Sequence, residues 1–313
     1  MLYLSRRDVE ALLDVDAMLD ALRRGFVQLS TGDVSVPPRT AARALAGGLL
    51  GVMPGYVKGV ALEAKLVSVF PENHKVGLNS HQALIALFDD GTGTPLAVMD
   101  GTYITAIRTG GAAAVAAGAL ARSDASVLAI LGAGAQGWSH LQTLPRVREF
   151  EEIRIASRNP EHAAALAAGH ERARVATSFE DAVAGADVVA CCTDAREPVI
   201  RHAWLSAGTH VSSVGGTFGP EVDAETVAVS RVFVEWRGVV SNAPPAGAHE
   251  LQGMNPEKVT EIGEVLARTL PGRQSAGEIT LYKSTGHAVE DAAAARLVYD
   301  LALEKKVGVE LNL

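Results

Sequence analysis

Val127-Leu128-Ala129-Ile130-Leu131-Gly132-Ala133-Gly134-Ala135-Gln136-Gly137 is an apolar, partly β-branched run that empties into G-x-G-x-x-G. Residues 138–144 continue in helix-compatible types as far as Pro145. Strand, glycine turn and helix in that order form the phosphate-binding unit of a dinucleotide fold. Gly132 allows the tight turn, Gly134 admits a pyrophosphate against the backbone, and Gly137 lets the helix settle on the sheet. The helix N-terminus, at Ala135 and Gln136, then faces the phosphates. A glycine-rich turn between any strand and helix is the plainer alternative, and the order of elements around this one favours the nucleotide.

The rest of the chain keeps that rhythm. Strand-like runs at 152–156, 174–177, 187–193, 210–214 and 231–236 alternate with helices expected from Pro160, Ser178 and Asp223, the βαβ order of an open parallel sheet. A helical stretch at 259–269, a short strand at 279–283 and a long helix from 287 to 306 close the sequence. The last helix has too broad an apolar stripe for one partner surface, so it is expected to return to the N-terminal part.

That part reads differently. Ser5-Arg6-Arg7-Asp8 has the form of a capping box, and the spacing of Val9, Leu12, Leu13, Met18, Leu19, Leu22 and Phe26 predicts a helical segment ahead of Gly32. Runs at 48–53, 60–70, 82–89 and 95–99 predict a small mixed sheet. Arg108-Thr109-Gly110-Gly111-Ala112-Ala113-Ala114 predicts a helix of small residues that starts at Arg108, reaches about Arg122 and lets another element approach its backbone at a domain junction. The expected fold is α/β: a Rossmann-type doubly wound parallel sheet over 116–287, and a smaller discontinuous mixed α/β domain from 1–115 with 288–313.

Composition narrows the function. A chain of 313 residues with a net charge of −8 is a poor partner for nucleic acid or an anionic membrane surface, so any anion must be gripped locally. The only cysteines, Cys191 and Cys192, are adjacent on an expected strand, which rules out a disulfide framework or a cysteine zinc site. No metal site is expected. Early charge at Arg6 and Arg7 does not fit a signal peptide, and the expected location is cytoplasmic.

The residue about twenty positions beyond the glycines meets the adenosine ribose, where an acid suits NAD and an arginine suits NADP. Here the second strand ends in Ser157-Arg158-Asn159 without an acid, which predicts NADP(H) in preference to NAD(H), with Arg158 as phosphate clamp and Ser157 and Asn159 as donors. The alternative is an arginine that points into solvent. Among candidate substrate groups, Arg39 follows two prolines that stiffen its backbone. Lys65 lies in a strand too apolar for a casual lysine, and its charge requires an anion, either Glu63 on the same strand face or a ligand. Arg108 completes a set of three cations suited to a carboxylate if they converge. Arg39 and Arg108 also have a bland reading as surface charges, as His81 has as an ordinary histidine.

The sequence resembles the ornithine cyclodeaminase and mu-crystallin family over nearly its whole length. The likeness rests on Gly51-Val52-Met53-Pro54, Lys65-Leu66-Val67, Pro95-Leu96-Ala97-Val98-Met99-Asp100-Gly101, Arg108-Thr109, Gly132-Ala133-Gly134-Ala135-Gln136, Tyr282-Lys283-Ser284-Thr285-Gly286 and Val289-Glu290-Asp291. The resemblance implies a homodimer, a substrate and dimerisation domain, and a cofactor held across an interdomain cleft. It implies that Arg39, Lys65 and Arg108 grip an amino- or imino-acid carboxylate, with Lys65 assisting proton transfer. Ser80, His81 and Thr109 would lie near the nicotinamide and its phosphates, Thr193 would border the cofactor, and Lys283 and Gly286 would close over it. Ornithine cyclodeaminases typically have acids where this sequence has Gly51 and Thr217, whereas the mu-crystallin branch resembles it at both. The activity implied is NAD(P)H-dependent reduction of cyclic ketimine carboxylates such as Δ1-pyrroline-2-carboxylate or Δ1-piperideine-2-carboxylate to L-proline or L-pipecolate, with Ser80 or Thr217 holding a water. Ornithine cyclodeaminase, an amino-acid dehydrogenase and a non-catalytic NADP-gated binding protein are the alternatives.

Overall fold

Val127–Leu131 pairs in parallel with Glu152–Ala156 on one side and with Val188–Cys191 on the other. The computed structural model describes residues 1–45, 47–216 and 218–312. It divides into two units, Met1–Arg108 with His287–Leu313, and Thr109–Gly286.

In the second unit an eight-stranded sheet runs Ala173–Val175, Glu152–Ala156, Val127–Leu131, Val188–Cys191, His210–Ser213, Thr280–Lys283, Arg231–Val234, Thr260–Glu261, every pair parallel. Strand order reverses at Val127–Leu131, and the crevice outside the carboxyl ends there is where such sheets bind ligands. Leu128, Ala129, Ile130, Leu131, Val188 and Val189 are fully buried, as strands with both faces covered must be. Asn159, Ser178 and Asp223 each cap a helix by accepting a backbone N–H, which is why those starts were legible.

The first unit is built on a mixed sheet in the order Val309–Glu310, Leu2–Leu4, Pro95–Asp100, His81–Phe88, Ala61–Val69, Leu49–Val57, Val34–Ser35, with Thr40–Arg43 also on Leu49–Val57. Its pairs are antiparallel except Leu2–Leu4 with Pro95–Asp100. The terminal helix Ala288–Lys305 lies against Val15–Thr31 so closely that a Cβ at Gly25 would sit 2.8 Å from Val289 Cγ1.

Three helical boundaries differ from expectation. The N-terminal helical segment breaks into Arg6–Leu12 and Val15–Thr31, because Asp14 caps the second helix through Ala17 N. The small-residue helix runs Gly101–Leu120, since Asp100 accepts from Tyr103 N and starts it early. Arg108 therefore sits inside this helix and not at its start. The helical stretch expected at 259–269 is reduced to Ile262–Leu266. Small residues do admit a neighbour: a Cβ at Gly110 would fall 2.2 Å from Ser139 Oγ on helix Ala135–Thr143.

Candidate functional site

In the first unit, alternation along Ala61–Val69 turns Ala61, Glu63, Lys65, Val67 and Val69 inward. Two of those five carry charge-bearing groups. Lys65 stands in a row between Met53 and Ile85, and its Nζ donates to Asp291 Oδ2 at 2.5 Å. Arg108 donates through Nε to Asp291 Oδ1 at 2.9 Å and through Nη1 to Glu290 Oε2 at 2.6 Å. Glu290 and Asp291 open the terminal helix, where His287 is the N-cap and Glu290 completes a capping box. Lys65, Arg108, Glu290 and Asp291 are all buried.

Burial lowers the Lys65 ammonium to about 8, with Arg108 adding repulsion and Asp291 opposing both. Burial also works against charge on Asp291 and Arg108. Their attraction outweighs it and holds Asp291 below and Arg108 above the ordinary range, with Lys65 and Glu290 contributing. His287 falls to about 3 through burial and the nearby charge of Arg39, so it is neutral. Arg39 is half-buried, and its charge also acts on Lys65. Lys65 and Arg108 thus converge, with Arg39 in electrostatic reach, and Lys65's bonded anion is Asp291, not Glu63.

In the second unit the glycine turn has little freedom. Gly132 is at φ +113°, and a Cβ there would meet Cys192 O at 2.5 Å. A Cβ at Gly137 would sit 2.1 Å from Gly132 O, whereas one at Gly134 would meet nothing within 4 Å. Helix Ala135–Thr143 begins at Gly134 without a side-chain cap, and Gln136 Oε1 is buried without a partner among the described residues. An open cradle with uncapped N–H groups fits a dinucleotide phosphate. Beside it, Glu221 accepts from Thr193 N and Oγ1 at 2.6 Å, from Ser213 Oγ at 2.8 Å and from Gly215 N at 2.7 Å. This carboxylate ties the carboxyl ends of two strands together.

The remaining expectations divide. Lys283 is fully buried and gives its three N–H groups to Ser213 Oγ at 2.8 Å, Gly215 O at 2.8 Å and Glu250 Oε1 at 3.0 Å. It has no donor left for a ligand. Gly286, at φ +80°, donates to Ser284 Oγ and turns the chain into the terminal helix. Ser80 Oγ contacts Pro71 O at 3.5 Å, and exposed His81 lies opposite Val69, four residues or ~13 Å along the strand from the Lys65–Ile85 pair. Those two are not brought to Lys65. Thr109 is buried directly after Arg108, and Thr217 lies outside the described residues. Sequence reasoning missed Glu290, Asp291 and Glu221 as site-forming acids. For the first two the available signal was charge balance, because buried Lys65 and Arg108 require anions.

A family model for the ornithine cyclodeaminase/mu-crystallin family matches residues 1–306. The structure is similar to that of Thermococcus litoralis Δ1-pyrroline-2-carboxylate reductase in complex with NADH and L-proline, at a TM-score of 0.94 and 38% identity, covering 99% of this chain and 100% of that one. It is also similar to an archaeal alanine dehydrogenase dimer with bound NAD, at a TM-score of 0.90 and 33% identity, covering 100% of this chain and 99% of that one. In sequence, the ketimine reductase mu-crystallin of Mus musculus is 36% identical over 95% of this chain and 96% of that protein.

These relatives correct the preference for NADP(H), since the two solved structures hold NADH and NAD. The local chemistry agrees. Arg158 Nη2 is engaged by Asp194 Oδ1 at 3.2 Å, which places a carboxylate beside the intended phosphate clamp. Asn159 spends its side chain capping helix Pro160–Ala167, and Ser157 Oγ accepts from Asn159 N at 3.3 Å.

Proposed function

Because the chain belongs to the ornithine cyclodeaminase/mu-crystallin family, we propose that it is an NAD(H)-dependent reductase of cyclic ketimine carboxylates. It takes Δ1-pyrroline-2-carboxylate or Δ1-piperideine-2-carboxylate to L-proline or L-pipecolate. The observation that carries this reading is the end-to-end likeness to a reductase solved with NADH and L-proline. The buried Lys65–Asp291–Arg108–Glu290 cluster supplies the chemistry.

The dinucleotide, when bound, supplies the hydride, and the residues proposed to hold it are Gly132, Gly134, Ala135, Gln136, Gly137 and Thr193. Arg39, Lys65 and Arg108 hold the substrate carboxylate. Glu290 fixes the plane of the Arg108 guanidinium, and Asp291 fixes Lys65 Nζ, so neither cation must be ordered when substrate arrives. The Lys65 ammonium, poised at about 8, gives a proton to the imine nitrogen and makes the adjacent carbon electrophilic. Gly51 faces the same side of the sheet as Met53, and a Cβ there would already touch Val67 Cγ1 at 3.3 Å. With no acid at that position, a second amino group lacks a partner, which argues against ornithine as substrate.

The protein works as a cytoplasmic homodimer in this reading, and the outer face of the first unit's sheet supports the dimer. Leu66 and Leu84 lie directly opposite one another across adjacent strands and are 40% and 51% exposed, with Leu50 at 48% nearby.

Nicotinamide absorbance with purified protein, NADH and freshly generated Δ1-pyrroline-2-carboxylate tests the proposal. Oxidation of NADH by the imine is the expected result. Proline and ammonia from L-ornithine without net change in NAD would replace it with cyclodeamination. NADH oxidation only with pyruvate and ammonia would favour an open-chain amino-acid dehydrogenase, the reading raised by the alanine dehydrogenase likeness.

A further inference from the structure

Glu63 lies two residues before Lys65 on the same inward strand face and is 2% exposed. Neither of its carboxylate oxygens has a hydrogen-bond partner among the described residues. One side is an apolar wall: the space a Cβ at Gly55 would take lies 3.2 Å from Glu63 Oε1, 3.1 Å from Ala288 Cβ and 3.6 Å from Val36 Cγ2. Across the sheet its row holds Gly55, Leu87 and Ala97. The charged groups that act on it are Asp291 from the terminal helix, Lys65 from its own strand and Arg108 from helix Gly101–Leu120. Arg39 and His287 bear on it through Lys65.

An ionised carboxylate buried without a donor is costly, and the hydrogen bonds that Lys65 and Arg108 make within the cluster go to Asp291 and Glu290, none to Glu63. Glu63 is therefore the acid of the cluster that keeps its proton. Burial, reinforced by the negative charge of Asp291, pushes it well above the usual carboxylate range.

We propose that Glu63 is a proton-storing residue that recharges Lys65 in each turnover. This rests on the reductase reading. When Lys65 gives its proton to the imine nitrogen, its Nζ is left as a neutral amine beside Asp291. The Glu63 carboxyl, which makes no hydrogen bond to Lys65 in the resting structure, turns to Nζ from two residues away on the same strand face; its O–H bond breaks and an N–H bond forms on Lys65 Nζ. Glu63 remains as a carboxylate until a solvent proton restores it after product leaves. No electrons move in this step, and the proton count closes with the single proton that imine reduction consumes. Glu63 acts through Lys65 and is a positioning residue, not a group that touches substrate.

Glu63→Gln is the deciding variant, since a glutamine side chain matches the shape and neutrality of the protonated acid but holds no transferable proton. A purely structural role would survive it. With NADH and Δ1-pyrroline-2-carboxylate, kcat of the variant is expected to fall about tenfold at pH 8 and less than about twofold at pH 6, where solvent protons recharge Lys65, the low end of general-acid effects. KM for the imine is expected to stay within about twofold. Independently of activity, infrared spectra of the ligand-free protein should show a protonated-carboxyl carbonyl stretch that disappears in Glu63→Gln. An unchanged pH profile in an active enzyme, or no such band in the parent, overturns the proposal. A parent protein that does not reduce the imine at all overturns the reductase reading, and the recharging step with it.

Discussion

Lys65 is the residue on which the site turns, because a buried ammonium must be answered by an anion and the structure answers it with Asp291. Lys65→Ala should abolish imine turnover while NADH binding, followed by nicotinamide fluorescence, stays intact; an active variant would remove Lys65 from the chemistry. Asp291→Asn removes a partner that raises the Lys65 pKa, so the alkaline limb of kcat, expected at about 8 in the parent, should move to lower pH. The same change leaves buried Lys65 without its bonded anion, while Arg108 keeps Glu290, and should cost about 3–5 kcal/mol of stability, measured by denaturant unfolding. Glu63 carries the opposite sign. Its folded pKa is raised, so folding takes up a proton and the stability tied to it is lost as pH rises above the ordinary carboxylate range. Glu63→Gln should therefore raise Tm more at pH 8 than at pH 5, and equal shifts at both would show that Glu63 is ionised throughout. At this scale the sequence was legible only for residues with an inherent demand. Lys65 announced that it needed an anion, but the sequence offered only Glu63 or a ligand, and finding Asp291 required knowing which helix covers the strand. Arg158 misled because its partner, Asp194, lies 36 residues further along the chain. As that pair is exposed and worth about 0–1 kcal/mol, Arg158→Ala should leave KM for NADH within about threefold.

The glycine turn separates what folding needs from what binding needs. Gly132 and Gly137 are required by the fold, because Cβ atoms there would collide with the backbone of Cys192 and Gly132. At Gly134 a Cβ meets only open space. Gly137→Ala should thus destabilise the protein by about 1–3 kcal/mol. Gly134→Ala should leave Tm nearly unchanged and weaken NADH at least about tenfold by occupying the approach of the phosphates. Unaltered NADH affinity in Gly134→Ala would move the dinucleotide away from this turn. Elements were legible in sequence where their chemistry is local: Ser5, Ser178 and Asp223 cap the helices they were expected to begin, and Pro160 opens its helix as expected, capped by Asn159. The early start of Gly101–Leu120 was missed because Asp100 ends a strand and caps a helix at once, and no period in the sequence separates those two duties.

On the scale of the whole molecule, Leu62-Glu63-Ala64-Lys65-Leu66-Val67 is an inversion. An ordinary amphipathic strand over a core puts apolar residues in and charges out, but here Glu63 and Lys65 face inward while Leu66 faces outward at 40% exposure. The inward Lys65 is explained by the helix that brings Asp291 over it, and the inward Glu63 by its staying protonated beside that pair. The outward leucines require a second explanation, and a copy of the same chain is the economical one, because a two-fold contact matches an apolar face with itself. Leu66→Glu with Leu84→Glu would set like charges directly across neighbouring strands and against their copies. Light scattering should then report a monomer, against the dimer proposed for the parent. Since neither side chain reaches the inward cluster, Lys65 should keep its environment, and a folded monomer should still bind NADH. A variant that stays dimeric would place the interface elsewhere and leave the exposed leucines unexplained by self-association.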